Sequence, residues 1–314
     1  MFNLILNENM KIYRRVSTWI MIVLLLAAVL GFSFLIKNQM ERENEADWKS
    51  RIAASTEGLK KTLAAEPNLP KQSRDRMEKM IAINEYRLEN DIPPATPKSV
   101  WGFMDFSSNL VSLITLFTII LAGGIVASEF TWGTIKLLLI RPVSRAKILL
   151  SKYLSTLLFS LFLLFLLFLS SFLVGILFFG TGGLSVPYLA YWNGKVVEVN
   201  MALHVLSLYG LSSVDLLMMS TFAFMISTIF RNNSLAIGLS IFLMFTGSTI
   251  VAALSRYGWV KYILFANTDL RQYFDGTPLV EGMTLSFSIT VLLAYFLIFH
   301  LLSWILFMKR DVAA

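Results

Sequence analysis

The sequence predicts an all-α fold: a polytopic membrane protein with six transmembrane helices and a helical extracytoplasmic hairpin between spans 1 and 2. Three observations predict it. Of the 314 residues, 56% are hydrophobic and 15% charged, where soluble domains carry about 45–50% and about 25%. The mean hydropathy is +0.67. Apolar runs reaching the roughly 18–20 residues that cross a bilayer as a helix recur along the chain, with one long charge-rich interruption after the first.

Residues 1–15 place Phe2, Leu4, Ile5 and Leu6 before Lys11, Arg14 and Arg15, an amphipathic start. Span 1 is expected from Val16 to Ile36. It exceeds the ~7–15 apolar residues of a secretory signal, and Ile36-Lys37-Asn38-Gln39 is no small-residue cleavage site, so the span is retained. Residues 37–107 then hold 12 basic and 12 acidic residues. Trp48, Ile52, Leu59 and Leu63, and then Met77, Ile81, Asn84 and Leu88, each fall on one helical face. Glu66-Pro67-Asn68-Leu69-Pro70 separates the two stripes, and Pro93, Pro94 and Pro97 close the insertion.

Span 2 is expected over Phe106 to Ser128. The next apolar run, Ile148 to Phe179, has 32 residues. As a helix it would be roughly 48 Å long, more than the ~30 Å hydrocarbon core, so its first turns, with Lys152, are expected in the cytoplasm. Gly180-Thr181-Gly182-Gly183 opens an external loop to about Ala202. Span 4 is expected over Leu206–Phe230, a tight turn at Arg231-Asn232-Asn233, span 5 over Leu235–Leu254, a polar loop over 255–282, and span 6 over Met283–Phe307. The chain thus divides into residues 1–36, the insertion 37–107, and 108–314, which carries spans 2–6 and a cytoplasmic segment at 129–147.

Six spans place both termini on one side. With the termini inside, the cytoplasmic segments hold Lys11, Arg14, Arg15, Lys136, Arg141, Arg145, Lys147, Lys152, Arg231, Lys309 and Arg310 against Glu8, Glu129 and Asp311. The two short outer loops balance Lys195, Arg256, Lys261 and Arg271 with Glu198, Asp269, Asp275 and Glu281. The positive-inside rule therefore selects cytoplasmic termini in a multi-pass protein of the cell membrane, expected to be a bacterial plasma membrane. The net charge of +7 is read as cytoplasmic-loop charge facing anionic lipid, not as a nucleic-acid surface.

Chemistry at a catalytic site finds little support. Cysteine is absent and the two histidines, His204 and His300, are far apart, so no metal site is expected. The Gly194-Lys195 pair is followed by Val196 where a phosphate-binding loop needs Ser or Thr. No nucleotide cofactor is therefore expected in this chain. Asp215 is read as the one carboxylate inside an apolar span. Such a group is costly and points to a substrate path or proton relay; the plainer reading is a carboxylate hydrogen-bonded to neighbours such as Ser212 and Ser213. Gly123/Ala127 and Gly124/Ser128 are small-residue pairs four apart, suited to close helix packing within one subunit or between two.

The segment from Glu129 to Arg145 interrupts the apolar pattern. Gly133-Thr134 starts or breaks a short helix, Ile135, Leu138 and Leu139 give it an apolar face, and Pro142 stops it. Arg141, Arg145 and Lys147 then face the cytoplasm. A basic amphipathic helix of this kind lies on a membrane surface or docks in a partner's groove. The order Glu129, Gly133-Thr134, Leu138, Pro142, Ser144-Arg145 and Lys152, with the six-span layout, resembles the type-2 ABC transporter permeases. That resemblance implies a permease subunit of an ATP-driven ABC exporter, moving a peptide, antibiotic or lipid-like substrate. It implies a separate ATP-binding cassette ATPase subunit that binds ATP and Mg, and a second permease copy or a homologous permease. Glu129, Gly133, Thr134, Arg141, Pro142, Ser144 and Arg145 would form the coupling surface, and none would be catalytic. Two other readings stay open: a proton-coupled secondary transporter using Asp215, and a membrane-anchored sensor or assembly protein using the 37–107 hairpin.

Overall fold

A computed structural model describes residues 1–40, 48–66, 69, 71–135, 142–181, 185–192, 194–274, 278, 280 and 282–309. Six of its helical stretches are long and apolar enough to cross a membrane. The chain opens with α1 (Phe2–Tyr13), then α2 (Val16–Met40), the first span. The hydroxyl of Thr18 donates to the Ile12 carbonyl at 2.6 Å, and the Trp19 indole donates to the Tyr13 carbonyl at 2.9 Å. These bonds fix the bend between the two helices.

Two polar helices follow, α3 (Trp48–Ala65) and α4 (Lys71–Glu89). They pack on one another, with ion pairs between Lys60 and Glu85 and between Lys49 and Asp91, both at 2.6 Å. The second span starts earlier than its apolar run suggests. It comprises α5 (Val100–Ser107), a 3₁₀ turn at Ser108–Leu110, and α6 (Val111–Thr131). Ser99 caps α5 by accepting from the Gly102 amide at 3.1 Å, satisfying an otherwise orphaned donor.

The third span is one helix, α7 (Arg145–Phe179). The loop beyond it contains the only strands among the described residues, β1 (Tyr188–Trp192) and β2 (Lys195–Val199). They pair antiparallel from Tyr188↔Val199 to Trp192↔Lys195. The turn between them uses Gly194 at φ +80°, a conformation glycine adopts without steric cost. α8 (Met201–Phe230) and α9 (Asn233–Leu254) form the fourth and fifth spans. Asn232 caps α9 by accepting from the Leu235 amide at 3.0 Å. A short helix α10 (Leu264–Asn267) lies in the next loop, and α11 (Leu285–Lys309) is the sixth span.

The spans are not equivalent. In the second span 78% of the most apolar window is buried, and in the fourth 61%, against 22% in the fifth and sixth. The reason is local. α6 is rich in small residues, and neighbours approach its backbone closely. A Cβ added at Gly123 would come within 2.9 Å of the Ile237 side chain, and one at Gly124 within 3.0 Å of Asn233 Oδ1. The Ala127 amide donates to Ser227 Oγ at 3.0 Å. α6 is therefore the axis on which α8 and α9 pack, while α2, α7, α9 and α11 present large apolar side chains outward.

The alternation of the spans defines two ends. The terminal face gathers α1, the end of α6, the start of α7 and the end of α11. The loop face gathers α3, α4, the strands and residues 255–274. On the loop face Lys79 Nζ donates to the Phe274 carbonyl at 2.7 Å, and Tyr86 donates to Glu198 at 3.1 Å. These bonds join α4 to the loop after α7 and the loop after α9.

Candidate functional site

At the terminal face three helices bring four charges together. The repeat of α1 places Glu8 and Lys11 on one side of the helix. α6 contributes Glu129 in its last turn, and α7 contributes Lys152, two turns from its start. Lys152 Nζ lies 2.8 Å from both Glu8 Oε2 and Glu129 Oε1. Lys11 Nζ lies 2.8 Å from Glu8 Oε1 and 3.3 Å from Glu129 Oε1. The other Glu129 oxygen accepts from the hydroxyl of Thr134. The Lys152 side chain is 2% exposed and that of Lys11 45%, so one ammonium is sealed and the other reaches the surface. Burial works against the charge on Lys11. Its hydrogen bond to Glu8 and the carboxylates of Glu8 and Glu129 outweigh that effect and raise its pKa above the usual 10.5.

Two acids and two bases neutralise each other, so the cluster can be buried. It holds α1 firmly against α7. Asn9 Nδ2 adds a 3.4 Å contact to Ser155 Oγ, which donates in turn to the Ile5 carbonyl at 3.3 Å. The Tyr13 ring meets Phe159 and Phe162 edge-on.

The α6–α7 connection leaves directly from this cluster. Gly133, at φ +70°, ends α6, and Trp132 beside it is 67% exposed. Ile135 is buried; Pro142 and Ser144 are exposed; Arg145 begins α7, and its Nη1 donates to the Met308 carbonyl at 3.4 Å. Arg141 and the expected apolar positions Leu138 and Leu139 lie outside the described residues. The structure therefore separates the residues expected on one surface. Gly133, Pro142 and Ser144 are exposed, whereas the Glu129 carboxylate points inward, 9% exposed as a residue. Lys152 is buried between the two carboxylates of Glu8 and Glu129. The sequence reading missed Glu8, Lys11 and Trp132. The pairing of Glu8 with Lys152 spans 144 residues, so spacing gave no sign of it.

A second polar cluster lies toward the loop face. Asp215, midway along α8, faces Thr268, Asp269 and Arg271. Arg271 Nη1 donates to Ser108 Oγ at 3.2 Å, in the 3₁₀ turn that interrupts the second span. Asp215 is therefore not answered by Ser212 and Ser213, whose hydroxyls donate to the Leu208 and Gly210 carbonyls. Nor is it the one carboxylate in a span, since Asp105 and Glu129 also fall within the second. Of the small residues, Gly123, Gly124 and Ala127 serve contacts with α8 and α9, and Ser128 is 6% exposed. Among the described residues no group of three His, Asp or Glu side chains is placed to hold a metal ion.

Comparison with known proteins corrects one expectation. Residues 76–313 match the family described as "Protein of unknown function (DUF2705)". The chain is 49% identical over 316 aligned residues to the uncharacterized protein YhcI of Bacillus subtilis (strain 168), covering 100% of both chains. It is 35% identical over 224 residues to the uncharacterized membrane protein YdbK of the same organism, covering 70% of this chain and 87% of that one. These matches overturn the resemblance to type-2 ABC transporter permeases, because the short pattern from Glu129 to Lys152 is outweighed by agreement over most of the chain. Six apolar helices and a relative named as a membrane protein identify a multi-pass membrane protein. The chain belongs to the DUF2705 family.

Proposed function

We propose that this chain is the membrane-spanning subunit of an ATP-driven transporter, set in motion by a separate ATP-hydrolysing protein at the terminal face. The observation that carries the reading is the root of the α6–α7 connection. It emerges from a buried ion cluster that ties α1, α6 and α7 into one body, so a push on it moves three elements together. The exposed Trp132 gives that connection an anchor of the kind that dominates protein contacts, and the exposed Lys147 adds charge beside it. The chain's Gly194-Lys195 lacks the Ser or Thr of a phosphate-binding loop, so ATP and its Mg belong to the partner. A second copy of the chain, or a related subunit, completes the path.

The terminal face is cytoplasmic in this reading, following the excess of Lys and Arg in its segments. α3 and α4 then stand outside the cell membrane as a helical hairpin. The test uses the tagged full chain, purified from its native membranes in mild detergent and assayed for ATP hydrolysis. The wild type is expected to bring down ATPase activity, and the pair W132E/K147E to lose at least tenfold of it at unchanged yield and thermal stability. Activity no higher than that of a tagged unrelated membrane protein, or unaffected by W132E/K147E, would count against the reading.

A further inference from the structure

We infer that the outer edge of β2 is a docking surface for a second copy of this chain, the two β2 strands pairing antiparallel about a two-fold axis at Val197. This contact deepens the proposed function by placing the second copy on which that reading relies.

The hairpin is regular, with five consecutive pairs from Tyr188↔Val199 to Trp192↔Lys195. A two-residue connection makes its closing pair, Trp192 and Lys195, exchange hydrogen bonds. Antiparallel alternation then does the same for Ala190 with Val197 and for Tyr188 with Val199. The N–H and C=O of Val196 and Glu198 therefore point away from β1. Among the described residues they meet no other backbone group. β1 is the covered strand, with Leu189 2% exposed, whereas Lys195, Val197 and Glu198 of β2 are exposed. Tyr86 of α4 reaches the Glu198 side chain. Side chains stand on the faces of a sheet, so α4 covers a face and leaves the edge of β2 open.

An open, regular edge is a template for another strand, and this one fits itself. An axis at Val197 sets Val196 opposite Glu198 of the second copy, and Glu198 opposite Val196 of the second copy. The outward N–H and C=O of both residues are then answered at once. An axis at Val196 would instead set Glu198 against the Gly194 turn, and one at Glu198 would set two carboxylates face to face. The side chains agree with the first choice. Val197, 47% exposed, covers its own counterpart and continues an apolar row from Ala190 across both chains. Lys195 falls opposite Val199, so no like charges are opposed. A lone two-stranded hairpin is marginal in water, and a four-stranded sheet supports itself better. The same patch serves both chains, so the assembly closes at two copies.

The chain contains no cysteine, so each single-cysteine variant reports one position. In this register the two Val197 positions form a non-hydrogen-bonded pair about 4.5 Å apart at Cα, within the roughly 4.4–6.8 Å that a disulfide spans. Two copies of position 196, or two of position 198, lie about 7–8 Å apart on the diagonal. V197C, oxidised with copper–phenanthroline in native membranes, should therefore give a band of twice the chain mass on a non-reducing gel. That band should be about fivefold stronger than those of V196C or E198C alone. V196C and E198C chains carrying different tags and expressed together should cross-link to each other, because those positions face one another. A V197C band no stronger than those of V196C and E198C would mark chance collision and overturn the proposal. A V197C cross-link to a different protein would overturn it too, since another chain would then occupy the edge. Cross-linking is scored without reference to the ATPase. A V197C dimer in chains that bring down no ATPase activity would leave this contact standing and count against the ATP-driven reading. ATPase activity without a V197C dimer would do the reverse.

Discussion

Two polar clusters sit toward opposite ends of the same helical bundle, and they solve the problem of buried charge in different ways. At the terminal face every charged group rides on a regular helix, and charge answers charge: Lys152 against Glu8 and Glu129, with Lys11 completing the balance. Toward the loop face the carboxylate rides on α8 but its counter-charge, Arg271, arrives on an irregular segment. That segment must satisfy its own backbone before it can present a side chain. Asn267 donates to the Lys261 and Ile263 carbonyls, both at 2.8 Å, and Gln272 donates to the Ala266 carbonyl at 3.0 Å. The first cluster depends on the sum of its charges, the second on neutral amides that hold a loop in place. A helix-borne cluster is cheap to position and costly to unbalance; a loop-borne one is the reverse.

The largest effect should follow from unbalancing the first. Lys152→Met leaves two carboxylates in a site that excludes water. Removing one partner from a buried ion cluster costs about 3–5 kcal/mol. The measure is unfolding of the purified chain in mixed micelles with increasing dodecyl sulfate, followed by tryptophan emission. The triple variant E8Q/E129Q/K152M removes the charges together and should recover a substantial part of the loss. A K152M chain as stable as wild type would show that the carboxylates find water, and the contrast between the clusters would fail.

Asn267→Ala should strike the second cluster with a smaller effect. The change removes two hydrogen bonds donated to carbonyls and one accepted from Ser288 Oγ at 2.7 Å. At about 1 kcal/mol net each, about 2–3 kcal/mol is at stake. The expected signature is local: faster amide exchange in residues 264–273 with exchange in α6 unchanged. Faster exchange in both regions alike would mean that the loop is part of the central core, and not an insertion secured by its own amides.

The same contrast explains what could be read from the sequence. The six spans were legible because a bilayer demands long apolar runs, and α1 because Phe2, Leu4 and Ile5 precede Lys11 and Arg14. The helical stripes through Trp48–Leu63 and Met77–Leu88 correspond to α3 and α4. The terminal-face cluster was not legible, because Glu8, Glu129 and Lys152 meet only after three helices pack. Each alone looks like a charge at a span end. Arg271 was hidden for another reason: a polar loop between spans reads as solvent-exposed. Buried Val260, Leu264, Ala266 and Leu270 within it were the sign that it turns inward. The strands at 188–199 had a local signal, Asn193-Gly194 between β-branched and aromatic residues, which the surrounding apolar pattern obscured.

The smallest effect should come from the exposed corner of the terminal-face cluster, and it sharpens the distinction between sealed and open charge. Lys11 shares both carboxylates with Lys152 but is half exposed, so solvent screens it, and Lys11→Met should cost less than about 1 kcal/mol. Its contribution carries a pH signature. The folded pKa of Lys11 lies above its unfolded value of 10.5, so its stabilisation is fully present below pH 10.5 and is lost as pH rises through the folded pKa. The stability difference between wild type and K11M, measured in the same micelles, should stay constant from neutral pH to about pH 9.5 and shrink above pH 10.5. Taking the difference cancels titrations common to both chains, tyrosines included. A difference that grows with pH would mean that Lys11 is held more strongly when neutral, which two neighbouring carboxylates forbid. A K11M effect as large as that of K152M would mean that the open corner is as dry as the sealed one, and exposure would no longer separate the two lysines.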